Sequence, residues 1–230
     1  MAEIAPVPRS RSLADRTYRH IKDLVLSNRL LPGQTITETW LAEALVVSRT
    51  PIRHAISRLS GEGLVVVSRG RIQIRQILAD EARQLAEFRI AVEGHVARTL
   101  ASCGMPEGGF ATLEELSQTL SALVTAQGNC HDFGAFMGLN RAFHLEMARQ
   151  AGNPMILDAV SRAHDLLTIT RQTLDNIPGR PGAILCEHAA ILTAVRDRDV
   201  AAAEAAVAHH ILAPLGATNE EVAQPATFGK

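Results

Sequence analysis

Three histidines and one asparagine in the second half of the chain are candidate ligands of a metal ion. Asn140 and His144 are four residues apart, so they share one face of a helix. His188 and His210 belong to two later predicted helices, which are separated by a short break near 197–199. If the three helices converge, three imidazoles and one amide oxygen can surround a cation and leave positions open for water or a carboxylate. Spacing alone also allows these histidines to be ordinary core or surface residues.

A second set of polar residues, near position 50, has the chemistry to read DNA. Apolar residues recur at i, i+3, i+4 and i+7 from Ile52 to Leu59, which predicts a helix with one buried face. Ser48 or Thr50 can cap this helix, and Pro51 is tolerated in its first turn. An arginine fork can donate two hydrogen bonds to guanine. The candidate DNA-contacting residues on the opposite face are Arg49, Thr50, Arg53, His54, Ser57 and Arg58. The alternative is a solvated basic helix in a structural domain.

The residues after this helix change from helical to alternating periodicity. A β-branched run at 64–67 and an alternating run at 71–75 flank a turn, which predicts a β-hairpin. Arg69, Gly70 and Arg71 at its tip could reach phosphates or an adjacent groove, and Gly70 permits close approach to the backbone. Helices are predicted before the hairpin at about 12–28, 38–46 and 48–61. This order is typical of a winged helix-turn-helix.

Charge is distributed unevenly along the 230 residues, although the net charge is only −1. Residues 1–76 contain 12 Lys and Arg against 6 Asp and Glu, and residues 77–230 contain 11 against 18. The basic first part favours a nucleic-acid partner, unless the segregation of surface charge is accidental. No uncharged apolar run reaches the length of a membrane span, and no secretory signal is recognisable. The three cysteines form no CxxC pair, which favours reduced thiols in the cytoplasm.

From about residue 78 onward only helical patterns occur. Helices are predicted near 78–102, 110–126, 131–151, 154–176, 182–197 and 199–214. The predicted fold class is mainly α: a winged helix-turn-helix (three helices plus a β-hairpin) followed by an all-α helical-bundle ligand-binding domain. The predicted divisions are a flexible arm (1–11), the DNA-binding domain (12–76), the effector- and metal-binding domain (77–215) and a disordered tail (216–230).

Three segments of the first part form a recognisable pattern: LLPGQTITE (30–38), LAE (41–43) and VSRTPIRHAISRLSGEGL (47–64). With these segments the first part resembles the N-terminal domain of GntR-family regulators. Val46 departs from the family pattern, which usually has glycine in the turn between the two helices. This departure could tighten or shift the turn, but it removes no DNA contact.

Five short segments of the second part also form a pattern: RIAVE (89–93), NRAFH (140–144), AGNP (151–154), EHAAI (187–191) and HHI (209–211). With these segments the second part is similar to the FCD ligand-binding domain of the FadR subfamily. Together the two resemblances cover about residues 13–212. They imply a homodimer, a palindromic double-stranded DNA operator and control by an organic acid or related metabolite.

The FCD resemblance also implies a divalent metal at Asn140, His144, His188 and His210. The family more often has Asp where this chain has Asn140, and a neutral oxygen holds a hard cation less well. Zn²⁺ or Ni²⁺ is therefore favoured, because imidazole supplies most of their binding. His209 is the rival of His210, but the family histidine directly precedes an aliphatic residue, as His210 precedes Ile211.

Arg89 matches a family position that faces the ligand cavity, where it could pair bidentately with a carboxylate. An equally good alternative is an ion pair with Glu93, four residues along the same helix. His95 and His131 match no motif. The same holds for His164, which could line the cavity but is better explained by packing.

The leading interpretation is a transcription regulator without enzymatic activity. The first alternative is a metal-dependent enzyme, since three histidines with open positions can activate water. Against it, no motif supplies a carboxylate as general base. The second alternative is an architectural DNA-binding protein, which would need no buried polar cluster.

Overall fold

The computed structural model of the chain describes residues 12–169 and 177–222. The chain divides into two compact units, with the boundary between Ile77 and Leu78. The elements of the first unit are α1 (Leu13–Leu26), β1 (Thr35–Ile36), α2 (Glu38–Leu45), α3 (Arg49–Gly61), β2 (Val65–Ser68) and β3 (Arg71–Ile74). The three predicted helices and the hairpin are confirmed.

The core of the first unit forms between α1 and α3. Ser12 caps α1 by accepting a hydrogen bond from the backbone N–H of Asp15. The helix buries Tyr18, Ile21 and Val25, and α3 buries its apolar stripe from Ile52 to Leu59. Each such side chain contributes about 1.5–3 kcal/mol when it leaves water. Burial of this stripe leaves the polar side of α3 outside.

A three-stranded antiparallel sheet with the order β1-β3-β2 completes the unit. In β3, Ile72 and Ile74 are buried while Arg71 and Gln73 are exposed, as the period of a half-buried strand requires. β1 was not predicted. It has only two residues, too few to show an alternation, and it exists through its pairing with β3.

The turn between α2 and α3 has an unusual residue at its bend. Val46 ends α2 with φ 53° and ψ 48°, in the left-handed region, and is 90% exposed. A β-branched residue is strained there, whereas glycine is not. The turn is therefore made without glycine, at a cost in backbone strain.

In the part of the second unit that the structure describes, every element longer than an isolated bridge is a helix. Its elements are α4 (Ala79–Cys103), α5 (Gly109–Ser121), α6 (Phe133–Gln150), α7 (Pro154–Ile169), α8 (Arg180–Arg196) and α9 (Val200–Val222). α4 packs against α6, α7, α8 and α9. Leu100, Phe143, Ile191 and Val207 belong to the core between them. Polar residues on the inner faces of these helices are therefore brought together.

Several predicted boundaries differ from the structure. α5 ends at Ser121 rather than 126, because the chain turns back and Val124 forms a β-bridge with Cys130. The last helix is longer than predicted, since α9 runs from Val200 to Val222 and the predicted helix ended at 214. The predicted arm at 1–11, the end of the helix predicted to 176, and residues 223–230 lie outside the described residues. Among the described residues, no helix is long and apolar enough to cross a membrane.

Candidate metal centre and nucleic-acid interface

α3 presents the residues predicted to read DNA. It begins at Arg49, directly after Ser48, whose extended backbone starts the helix without a side-chain cap. All six candidates on this helix are exposed: Arg49, Thr50, Arg53, His54, Ser57 and Arg58. Their exposure follows from the burial of the apolar stripe on the opposite side.

The three arginines of α3 have different partners. Arg49 Nη2 and Arg53 Nε donate to the same atom, Glu38 Oε2, at 3.0 and 2.9 Å. These bonds, that of Arg53 first, hold the pKa of the Glu38 carboxyl below its ordinary value. Arg58 instead pairs with Asp15 at 3.0 Å and lies 3.7 Å from the ring centroid of Tyr18. Arg49 and Arg53 thus form one group, from which Arg58 is separate.

The hairpin tip is a two-residue turn. Ser68 and Arg71 pair across the strands, and Arg69 and Gly70 between them have φ of 49° and 76°. Two successive positive φ values are the signature of a type I′ turn, which favours Asn-Gly. Arg69, Gly70 and Arg71 are all exposed. An arginine is therefore held at a turn position that small residues prefer.

In the second unit, three of the predicted metal ligands converge from three helices. His144 of α6, His188 of α8 and His210 of α9 offer nitrogen atoms that all lie within 4.8 Å of one another. We call these three residues the histidine cluster. They are 5%, 1% and 4% exposed. His209, the rival of His210, is exposed and lies outside the cluster.

Two carboxylates fix the tautomers of two of these rings. His144 Nδ1 lies 2.7 Å from Glu93 Oε2, and His210 Nδ1 lies 2.6 Å from Glu187 Oε2. Burial lowers the pKa of His144 and of His210 to about 4, so both rings are neutral at neutral pH. Each Nδ1–H donates to its carboxylate, and each Nε2 keeps its lone pair.

Burial alone would raise the pKa of Glu93, but Arg89, His144 and His164 hold it well below its ordinary value. The pKa of Glu187 is lowered in the same way, by bonds from His210 and Arg180 against the effect of burial. Both carboxylates are therefore anions, able to accept the Nδ1–H of a neutral ring.

The other two predicted ligands have buried polar atoms without partners. Both ring nitrogens of His188 and the Oδ1 of Asn140 have no hydrogen-bond partner among the described residues. The His188 ring stacks on Phe143 at 3.8 Å, and burial holds its pKa well below the ordinary value. Buried polar atoms left unpaired cost about 1–3 kcal/mol each. A cation bound by one ring nitrogen of His188 and by Asn140 Oδ1 would remove the cost at those two atoms.

Arg89 forms the ion pair that was its alternative interpretation. Its Nε lies 2.6 Å from Glu93 Oε1, and Nη2 lies 3.3 Å from His164 Nε2. Burial also lowers the pKa of His164 to about 4. His164 was expected to pack, and its ring is fully buried, but it also contacts Glu93 and Arg89. It therefore belongs to the polar network around the cluster.

The residues that orient the rings of the histidine cluster were not identified from the sequence. Arg180 donates to both oxygens of Glu187, at 2.5 and 2.9 Å, and to the backbone oxygen of His210 at 3.2 Å. Glu93 was considered only as a partner of Arg89, and Glu187 only as part of a motif. Because the Glu93–His144 and Glu187–His210 contacts join different helices, spacing along one helix gives no sign of them.

The space beside the cluster is small. A cavity of about 10 Å³ borders Glu93, His144 and Phe143. This volume is enough for one water molecule or ion. An organic acid would require the surrounding helices to move apart.

Comparison with protein families decides what the two units are. Residues 13–71 match the family described as bacterial regulatory proteins, gntR family, and residues 84–213 match the FCD domain. The chain belongs to the GntR family of transcription regulators and carries an FCD domain.

Relatives of this GntR-family chain include several bacterial regulators. A probable D-xylose utilization operon transcriptional repressor of Paenarthrobacter nicotinovorans is 28% identical over 202 residues, covering 84% of this chain and 83% of the relative. The transcriptional repressor RspR of Escherichia coli is 24% identical, covering 84% of this chain and 83% of the relative.

Solved structures share the fold. E. coli McbR/YncC superposes with a TM-score of 0.75 at 18% identity, covering 92% of this chain and 99% of that one. A putative GntR regulator from Rhodococcus sp. RHA1 gives 0.70 at 20% identity, covering 89% and 98%.

Proposed function

We propose that this GntR-family regulator binds a palindromic operator as a homodimer, and that a small organic acid bound at a divalent metal centre controls its affinity. The observation that carries the proposal is the facing Nε2 atoms of His144 and His210, 3.1 Å apart. Two neutral rings whose Nδ1–H groups are already donated present lone pairs to each other, which is unfavourable without a cation. Carboxylate–histidine pairs of this kind are what orient metal ligands in proteins.

His144, His188 and His210 would hold the metal, with Asn140 as a fourth, weaker ligand. The donor set of three imidazoles and a neutral oxygen favours Zn²⁺ or Ni²⁺ over Mg²⁺ or Mn²⁺. When bound, the metal would supply a Lewis-acid position for the carboxylate of the effector. Glu93 and Glu187 keep the Nε2 lone pairs of His144 and His210 available.

DNA recognition would be carried by Arg49, Thr50 and Arg53 at the start of α3, with His54 and Ser57 further along. The recognition helix of a helix-turn-helix presents its N-terminal residues to base edges in the major groove. Arg69, Gly70 and Arg71 would contact the backbone or an adjacent groove from the hairpin tip. Arg58, held by Asp15 and Tyr18, would contribute through its charge rather than by reading a base.

Control requires that the effector favour one arrangement of the dimer over another. A coupling of about 1–3 kcal/mol changes operator affinity roughly 5–150-fold. An organic acid exceeds the space beside Glu93, so its binding at the histidine cluster would require the surrounding helices to move apart. The relative from Paenarthrobacter is named as a repressor of an operon, which supports an operon as the target of this protein. A regulator that binds bacterial DNA would act in the cytoplasm.

The enzyme alternative is less well supported. A hydrolytic centre needs a carboxylate that can accept a proton from water. The two carboxylates beside the histidine cluster are occupied by His144, Arg89 and His164 in one case, and by His210 and Arg180 in the other.

A ligand screen by thermal shift tests the proposal. Zinc-loaded full chain is heated with a panel of organic acids, and each stabilising compound is then added to the protein–DNA complex. A ligand at 100 times its Kd stabilises the native state by about 2.7 kcal/mol. We expect at least one acid to stabilise the protein and also change its DNA affinity. Acids that stabilise without any effect on DNA binding would contradict effector control.

A further inference from the structure

We infer that Glu38 is a specificity-determining residue of the DNA-reading surface, because it holds Arg49 and Arg53 together and weakens binding to duplexes that cannot satisfy both. This inference rests on the proposed function, in which the two arginines contact DNA. The carboxylate lies on a surface that would meet phosphates, where an acidic residue is unexpected. The contribution of Glu38 to recognition must therefore outweigh the repulsion between its carboxylate and the phosphates.

Glu38 reaches across from one helix to the other. It is the first residue of α2, and its Oε2 accepts from Arg49 and Arg53, which stand one turn apart on α3. Like charges at this spacing repel each other. The arginines are more than half exposed, while the Glu38 side chain is 26% exposed. The shared carboxylate relieves the repulsion and limits the rotamers of two otherwise mobile side chains.

The atoms used in this contact leave the reading edge of Arg53 available. Arg53 donates through Nε, so its two terminal nitrogens can still donate to O6 and N7 of guanine. Arg49 donates through Nη2 and keeps its other N–H groups. Glu38 can therefore remain bound to both arginines while they contact bases. Side chains ordered in advance lose less entropy on binding.

The charge of Glu38 also affects binding to random DNA. The three side chains together carry one positive charge, where the arginines alone would carry two. Non-specific binding depends on the number of phosphates neutralised, with about 0.9 counterions released for each. Glu38 thus lowers affinity for any duplex, and only the base contacts of a correct site compensate. The ordering of the two arginines and the lower positive charge both raise the ratio of specific to non-specific affinity.

The experiment compares Glu38→Gln with the parent on two labelled duplexes. One duplex is selected by the parent protein from a random pool, and the other is a scrambled duplex of the same composition. Anisotropy titrations over a range of salt give both affinities. We expect Glu38→Gln to bind the scrambled duplex several-fold more tightly, with the salt slope steeper by about 0.9. Affinity for the selected duplex should not rise, so the specificity ratio falls several-fold.

Glu43→Gln is the matched control. Glu43 is an exposed carboxylate of the same helix and lies outside the contact with the two arginines. Its removal adds the same charge, so affinities for both duplexes should rise together and leave the ratio unchanged. Glu38→Asp keeps the charge but shortens the side chain, so the ratio should fall without a change in salt slope. This variant decides the matter if Glu38→Gln does not fold by circular dichroism.

A ratio for both Glu38 variants within twofold of the parent would overturn the role of Glu38 while leaving the proposed function intact. A parent protein that enriches no sequence from the pool would contradict the proposed function and, with it, this inference.

Discussion

His144 and His210 face each other through their Nε2 atoms at 3.1 Å, while Glu93 and Glu187 each hold the Nδ1 of one ring. Because each Nδ1–H is donated to a carboxylate, the lone pairs of the two Nε2 atoms point toward each other between α6 and α9. A cation between them would make this contact favourable, and the third ring, that of His188, has no hydrogen-bond partner among the described residues and could offer one nitrogen to it.

Replacement of His188 by alanine should reduce metal binding. The ring has no hydrogen bond among the described residues, so its loss removes a ligand without breaking another polar contact. We expect zinc per chain in dialysed protein, measured by elemental analysis, to fall well below that of the parent. His209→Ala is the matched control, because His209 is exposed beside His210, and it should retain the metal. Equal zinc in both variants, or none in the parent, would contradict the site.

The metal-free protein should lose stability as the pH falls from 6.5 toward 4. Burial lowers the pKa of His144, His164 and His210 to about 4. Above pH 6.5 these rings are neutral in both the folded and the unfolded state, so their contribution to the free energy of unfolding is fully present. Below pH 6.5 the rings bind protons in the unfolded chain but stay neutral in the folded chain. The free energy of unfolding therefore declines by up to about 1.4 kcal/mol per pH unit for each ring.

Urea denaturation of chelator-treated protein at pH 7.5 and 5, followed by circular dichroism, measures this loss. Zinc-loaded protein is the comparison, since protons must also displace the metal there. The same midpoint at both pH values would show that the rings are not buried in neutral form.

Val46→Gly should stabilise the first unit. Valine in the left-handed region costs about 1–2 kcal/mol, and glycine removes this strain at the expense of a more flexible unfolded chain. Because Val46 is 90% exposed, little packing is lost. We expect a net gain of about 0.5–1 kcal/mol in the free energy of unfolding. Val47→Gly, at the neighbouring position without a positive φ, should be destabilising. A less stable Val46→Gly protein would mean that the side chain makes a contact worth more than the strain.

Arg69→Asn should separate stability from DNA binding. Asparagine suits the first position of a type I′ turn, so the hairpin should gain about 0.5–1 kcal/mol. Loss of the positive charge should weaken binding to every duplex alike and reduce the salt slope by about 0.9. Denaturation and anisotropy titrations measure the two effects. A loss of affinity confined to one sequence would instead assign base reading to the hairpin tip.

The fold was largely predictable because its elements carry strong periodic signals. The stripe from Ile52 to Leu59 predicted the face that α3 buries, and the change of period at Leu64 predicted the hairpin. β1 was not predicted, because a strand of two residues is too short to show an alternating pattern. The end of α5 was predicted too late, because it depends on a bridge between Val124 and Cys130 that local helix propensity does not reveal.

The histidines that converge in the cluster were predictable from the sequence, but the residues that orient their rings were not. His144 and His188 stood in motifs, whereas the pairing of Glu93 with His144 and of Glu187 with His210 depends on how α4, α6, α8 and α9 pack. The Glu38–Arg53 contact was equally invisible, since the residues belong to different helices. Tertiary contacts between polar residues have no period in sequence.

Sequence-specific DNA binding by α3 is measured by the ratio of the protein's affinities for two duplexes. Full-length protein and Arg53→Ala are titrated into the duplex upstream of the protein's own gene and into a scrambled duplex, at about 0.15 M salt. The parent should prefer its own duplex by roughly 10³-fold or more. Arg53→Ala should lose roughly 1–3 kcal/mol of that preference while its fold and metal content are unchanged. Equal affinity of the parent for both duplexes would contradict the account.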